Sequence, residues 1–176
     1  MLKPSIEAIL NQQIAIESAA SYKYLACASW CDVEGYSGAA KFLYEHSDEE
    51  RFHMMKLFRY INDKGGRSIV PAMEQPPKDF KSLKDVFVSS YENEIEVSES
   101  INQIAALSLK EADFTTYNFI QWYINEQLEE ENLYRSILDK FKLVGDEGNN
   151  LYLIDAEIEK LCSGSNNPAL GSSSQE

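Results

Sequence analysis

A chain of 176 residues with 44% hydrophobic and 26% charged side chains is long enough to bury a substantial core and reads as one globular domain. Its net charge of −13 argues against the nucleic-acid backbone and anionic membranes as partners and is compatible with attracting cations. No apolar run approaches the ~20 residues of a membrane span, the start Met1-Leu-Lys-Pro-Ser-Ile-Glu7 has no signal or transit pattern, and Cys27, Cys31 and Cys162 make no disulfide framework, so a cytoplasmic setting is expected.

From Ser5 to about Asp32 no Gly or Pro occurs, and Ile6, Leu10, Gln13, Glu17, Ala20, Tyr24 and Ala28 recur at helical spacing. Glu17 interrupts that seam. Gly35 and Gly38 mark a turn, and a second helix is predicted from about Ser37 to Lys64, ended by Gly65-Gly66. Its seam reads Ala39, Leu43, His46, Glu50, His53, Leu57, Ile61, which sets the pair Glu50-x-x-His53 inside the apolar stripe. Three apart on a helix, a carboxylate and an imidazole lie one turn over the other and can hold one metal ion.

Pro71, Pro76 and Pro77 prevent a helix between Gly66 and Ser82. Extended at ~3.3 Å per residue, that segment reaches about 50 Å, the length of a helix of ~30 residues, and is predicted to cross over. A third helix from about Ser82 to Lys110 carries Leu83, Phe87, Ser90, Glu94, Val97, Ile101 and Ile104 on one face. After a break at Glu111 to Asp113, a fourth carries Thr116, Ile120, Tyr123, Gln127, Glu130, Tyr134, Ile137 and Phe141 and ends before Gly145. Asn150 to Leu161 makes a short fifth helix, and the Ser/Gly/Asn-rich remainder, 163–176, is expected to be a flexible polar tail.

The polar intruders share one height. Glu17 lies eighteen residues before Gly35 and His53 eighteen after it; Glu94 lies eighteen before Ala112 and Glu130 eighteen after it, with Glu50 and Gln127 one turn nearer their turns. The four residues eighteen away sit ~27 Å from the turns, near mid-helix. Packed side by side, the two hairpins form a four-helix bundle with all six residues in one core layer. Four buried carboxylates repel one another, and each costs several kcal/mol if it stays ionised without a partner. Two divalent cations would cancel the four charges, and oxygen-rich ligation with one imidazole suits iron or manganese better than zinc. A layer of protonated Glu and Gln is the alternative.

With Glu17, Tyr24, Glu50-x-x-His53, Glu94, Gln127-x-x-Glu130 and Asn118-Phe-Ile-Gln-Trp-Tyr123 in register, the chain to about Leu161 resembles the non-haem bacterial ferritins, the all-α class of four-helix bundle with one long crossover that carries inward Glu and Glu-x-x-His ligands. The resemblance implies that Glu17, Glu50 and His53 hold a first iron, that Glu50 bridges, and that Glu94 and Glu130 hold a second. It implies that Gln127 hydrogen-bonds an oxygen species or a bound water, and that Glu49, Glu126 and Glu129, with Glu130, form a third iron site; solvated glutamates are the other reading. Tyr24 is either the family's redox-active tyrosine or a core aromatic, and Trp122 matches the family's central tryptophan or is simple packing. Bacterioferritins place a haem-ligating Met directly after the bridging Glu, where this chain has Arg51, so no haem is expected. Tyr117 and Ile120 stand where animal ferritins have acidic pore residues, which puts that iron-entry route in doubt.

The resemblance thus implies a ferroxidase that oxidises Fe2+ with O2 or H2O2 and stores ferric mineral in a homo-oligomeric cage of 24 subunits. Two competing functions remain. A di-iron carboxylate oxidase, oxygenase or peroxide-detoxifying enzyme would need no cage, and a bundle that only binds partners would leave the glutamate layer free of metal.

Overall fold

The computed structural model describes residues 2–162; the predicted polar tail, 163–176, lies outside the described residues. Five helices follow in order, α1 (Pro4–Val33), α2 (Ser37–Asp63), α3 (Leu83–Lys110), α4 (Phe114–Val144) and α5 (Asn149–Cys162), with no strand among the described residues. α1 packs on α2 and α3 on α4 as antiparallel hairpins, α1 joins them through α3, and α5 rests on α2 and α4.

Local chemistry sets the boundaries. Pro4 opens α1, where its missing N–H costs nothing. The Ser82 hydroxyl accepts from the Asp85 N–H at 3.1 Å to start α3, and the Asp113 carboxylate accepts from the Thr116 N–H at 3.1 Å to start α4. The two residues from which the register was counted are the hairpin turns themselves: Gly35 at φ 87° and Ala112 at φ 54° both take the left-handed conformation that ends a helix. There the Tyr36 N–H donates to the Cys31 carbonyl at 2.8 Å, and the Asp113 N–H to the Ser108 carbonyl at 2.9 Å.

The crossover between α2 and α3 is non-helical throughout. Near its start Asn11 clasps it, donating to the Arg67 carbonyl at 3.0 Å and accepting from the Ile69 N–H at 2.8 Å. Near its end Phe80 meets Trp30 edge-on with ring centroids 5.7 Å apart. It therefore runs most of the length of α1, as the extended-chain estimate requires.

The α2 start lacks a side-chain cap of its own, since Tyr36 supplies none. Asp155 on α5 replaces it, its carboxylate accepting from the Gly38 N–H at 3.1 Å and the Ala39 N–H at 2.8 Å. The approach is close enough that a Cβ on Gly38 would meet the Asp155 carbonyl oxygen at 2.2 Å. Asp155→Ala is expected to cost about 1–3 kcal/mol, because two buried donors lose a charged acceptor. Calorimetry would register that as a fall in Tm of about 2–4 °C per kcal/mol for a chain of this size.

Apolar packing fills the bundle on both sides of a gap. One cluster gathers Tyr24, Phe42, Leu43, Phe87, Tyr134 and Phe141 toward the α1–α2 turn. The other gathers Ile6, Leu10, Leu57, Ile61, Ile101 and Ile120 toward the opposite end. The polar intruders occupy the layer between them.

Candidate metal centre

Glu17, Glu50, His53, Glu94, Gln127 and Glu130 are all buried, none more than 7% exposed. α1 supplies Glu17, α2 supplies Glu50 and His53, α3 supplies Glu94, and α4 supplies Gln127 and Glu130. Ligand atoms of Glu17, Glu50 and His53 lie within 4.8 Å of one another, and Glu50 Oε2 stands 3.1 Å from His53 Nδ1. The Glu-x-x-His spacing therefore does bring carboxylate and imidazole together inside the core.

Positions are fixed by neighbours, most of them members of the same helical seams. Ser100 donates to Gln13 Oε1 at 2.6 Å, and Gln13 Nε2 donates to Glu17 Oε1 at 2.9 Å, so α3 orients a carboxylate of α1 through a relay. Tyr24 donates its hydroxyl to Glu94 Oε1. Gln127 donates to Glu94 Oε2 at 2.9 Å, so in this structure its amide is engaged with a carboxylate of the layer. Tyr123 donates to the His53 carbonyl at 2.8 Å, and Trp122 stands edge-on to the His53 ring at 5.3 Å.

Charge is the dominant problem of the layer. Burial, then the Glu50 charge, pushes the Glu17 carboxyl well above the usual range. Burial, then the Glu94 charge, does the same to Glu50. Burial and the Glu130 charge raise Glu94 against the hydrogen bonds from Tyr24 and Gln127. Each shift favours the protonated form, and a bound cation would favour the ionised one.

Glu130 departs from that pattern because of His46, a member of the α2 seam that belongs to no ligand motif in the sequence. His46 Nε2 lies 3.4 Å from Glu130 Oε2, within reach of charge attraction but outside hydrogen-bonding geometry. Burial opposes the imidazolium, yet the Glu130 charge outweighs it and raises His46 to about 9. Burial also opposes the Glu130 charge, and the His46 cation outweighs it in turn, holding that carboxyl below the usual range. The sequence signal was present: His46 is one helical turn before Glu50 on the same face.

Around this layer lie two further groupings whose ligand atoms fall within 4.8 Å: Glu49, His53 and Glu126, and His46, Glu49 and Glu130. Glu49 and Glu126 are half-buried. Glu129 is exposed and belongs to neither grouping. Tyr24 is fully buried, stacked on Tyr134 at 5.9 Å, and burial followed by the Glu94 charge keeps its phenol protonated.

Among the buried side-chain atoms without a hydrogen-bond partner are Glu17 Oε2, His53 Nε2 and Glu130 Oε2. Orphaned donors and acceptors of this kind are rare in native cores. Clustered carboxylate oxygens beside an imidazole suit a hard or borderline divalent cation such as Fe2+ or Mn2+. Fold and donor set together define a ferritin-like bundle with a buried carboxylate layer.

Comparison with known proteins narrows the class. The ferritin-like domain model matches residues 7–144. A probable bacterial non-heme ferritin-like protein of Haemophilus influenzae is 42% identical over 161 residues, covering 92% of this chain and 98% of that one. A bacterial non-heme ferritin of Campylobacter jejuni is also 42% identical, covering 92% of this chain and 96% of that one. An open-pore ferritin of Archaeoglobus fulgidus superposes with a TM-score of 0.87 at 34% identity, covering 90% of this chain and 98% of its own. The chain belongs to the ferritin family, and these relatives set it among the non-haem ferritins of the bacterial type. No helix among the described residues is long and apolar enough to cross a membrane.

Proposed function

We propose that this protein stores iron, taking up Fe2+, oxidising it within each subunit and depositing Fe3+ inside a cage of 24 copies. One observation carries the reading: in a chain of the ferritin family, Glu17, Glu50 and His53 converge within 4.8 Å in the core, and Glu17 and His53 each keep a buried ligand atom unpartnered. Fe2+ is the substrate here. Glu17, Glu50 and His53 would take one ion and Glu94 and Glu130 a second, with Glu50 shared, so that four carboxylates balance two divalent charges. Each iron surrenders one electron. Two electrons and two protons convert O2 to H2O2, or H2O2 to two waters.

The chain's own groups prepare that transfer. The relay from Ser100 through Gln13 orients Glu17, and Tyr24 and Gln127 together hold both oxygens of Glu94. The apolar clusters on either side restrict water. Protons carried by Glu17, Glu50 and Glu94 are displaced as cations enter. Tyr24, hydrogen-bonded to Glu94, would lend an electron to the layer, and Glu49, Glu126 and Glu129, with Glu130, would hold a third iron. Arg51 supplies no haem ligand, and a cytoplasmic cage without haem completes the reading.

The test is anaerobic Fe2+ binding followed by O2, with iron per chain, product absorbance and particle size followed together. Two or three tight irons per chain, rapid oxidation and a large particle that then accepts many more are expected. Oxidation on a particle the size of a monomer or dimer would shift the function to a di-iron oxidase, and absence of binding would leave a protonated glutamate layer.

A further inference from the structure

We propose that His46 is a metal ligand, its Nε2 joining Glu49 and Glu130 to hold a divalent cation just outside the central layer. This inference rests on the iron-storage reading for its cargo and assigns a nitrogen donor where an all-carboxylate site would otherwise serve. Ligand atoms of the three residues lie within 4.8 Å of one another. Acidic clusters alone are common without metal, but the imidazole changes the case. His46 is 8% exposed and its Nε2 has no hydrogen-bond partner.

The other ring nitrogen explains the orientation. His46 Nδ1 lies 2.9 Å from the Phe42 carbonyl, one turn back on α2, and a carbonyl can only accept. Nδ1 therefore keeps its proton, and a cation that displaces the proton on Nε2 takes the lone pair of the atom that faces Glu130. A backbone acceptor on one nitrogen and an open lone pair on the other is the arrangement that metal-binding histidines adopt. The ring is also locked in place, stacked on Phe42 at 3.9 Å with Tyr24 and Tyr134 edge-on to it. Little ordering entropy is left for a cation to overcome.

Glu130 consequently faces two ways. It can serve the central layer or turn its carboxylate toward His46 and Glu49, and Glu49 in turn reaches the grouping with His53 and Glu126. A cation handed from Glu130 to His46 would leave the buried layer without leaving protein ligands.

The chain has only two histidines, His46 and His53, so nitrogen ligation can be counted. The probe is oxovanadium(IV), VO2+, added to the untagged, metal-free assembly and read by electron spin-echo envelope modulation, which detects imidazole 14N bound to the ion. His53→Ala should retain that modulation, carried by His46, and the double variant with His46→Gln should lose it. If His53→Ala forms the particle but binds no VO2+, or binds it without nitrogen modulation while the natural protein shows it, the proposal is overturned and the iron-storage reading stands. If the natural protein shows no nitrogen modulation, that reading fails as well. Zn2+ titration gives an independent measure that leaves His53 untouched: His46→Gln should bind one fewer ion per chain, and an unchanged count would overturn the assignment.

Discussion

Glu94→Ala is expected to slow fast Fe2+ oxidation by more than the ~10–100-fold that loss of a mere supporting partner costs at a metal site. Glu94 is fully buried and is the only carboxylate that α3 gives to the layer. On the proposed ligand set a second iron would then keep only Glu130 and the shared Glu50, and the pair proposed to lose two electrons together would be broken. Assembly should survive, because the residue faces the core and not the subunit surface. Alanine also strands the Tyr24 hydroxyl, at about 1–3 kcal/mol, whereas the Gln127 amide keeps its donation to the Glu94 backbone carbonyl at 3.3 Å. Glu94→Gln separates the effects by keeping side-chain volume while removing the charge. Stopped-flow absorbance on both variants should show oxidation lost in each and stability lost mainly in alanine. Wild-type rates in either variant would remove Glu94 from the ligand set.

The second large effect has the opposite sign for stability. In metal-free protein, Glu50→Gln is expected to raise Tm, since Glu50 is buried at the crowded centre of the layer and burial and the Glu94 charge both oppose its ionisation. The folded state holds protons on Glu17, Glu50 and Glu94 more tightly than the unfolded chain does. Below the ordinary carboxylate range both states are protonated and the layer exerts no penalty. As pH rises through that range the unfolded chain ionises first, so metal-free stability falls until the raised folded pKa values are passed. Asp113, lowered by Thr116 and Lys64 against the effect of burial, acts the other way and loses its contribution on acidification. Glu50→Gln should flatten the decline that begins in the ordinary carboxylate range and gain about 2–4 °C per kcal/mol relieved. Added Fe2+ or Zn2+ should reverse the ranking by stabilising only the natural protein. Thermal melts of apo protein at several pH values would show it, and identical pH slopes would mean that Glu50 is not under charge stress.

These two effects rest on the part of the architecture most legible in sequence. Glu17, Glu50, Glu94 and Glu130 stood out because each breaks an apolar stripe, and periodicity within one helix is a local property that sequence carries directly. Their common height followed from counting to Gly35 and Ala112, which are the left-handed turn residues of the two hairpins. Helix ends moved by only a residue or two: α1 opens at Pro4, Ser82 caps α3 from outside, and α5 runs from Asn149 to Cys162.

Relations between helices were not legible. His46 looked like an ordinary seam residue because its partner, Glu130, is on a different hairpin. The Ser100–Gln13–Glu17 relay, the engagement of Gln127 with Glu94 and the Asp155 clasp on α2 all depend on rotations and offsets between packed helices, which no single-helix period encodes. The same reason left Glu126 and Glu129 equivalent in sequence, although the fold sets one beside Glu49 and His53 and the other in solvent.

The long crossover has a consequence in time. Glu17, Glu50 and His53 all lie in α1 and α2, ahead of the crossover, whereas Ser100, which orients Glu17 through Gln13, lies in α3 and Glu130 comes seventy-seven residues after His53. At ~5–20 residues per second of synthesis, the ribosome delivers the first hairpin about 4–15 s before the second can cover it. Through that interval Glu17, Glu50 and His53 are open to water, so the carboxylates can shed protons and meet cations. Closure of the second hairpin is the event that turns an exposed chelating face into a buried one.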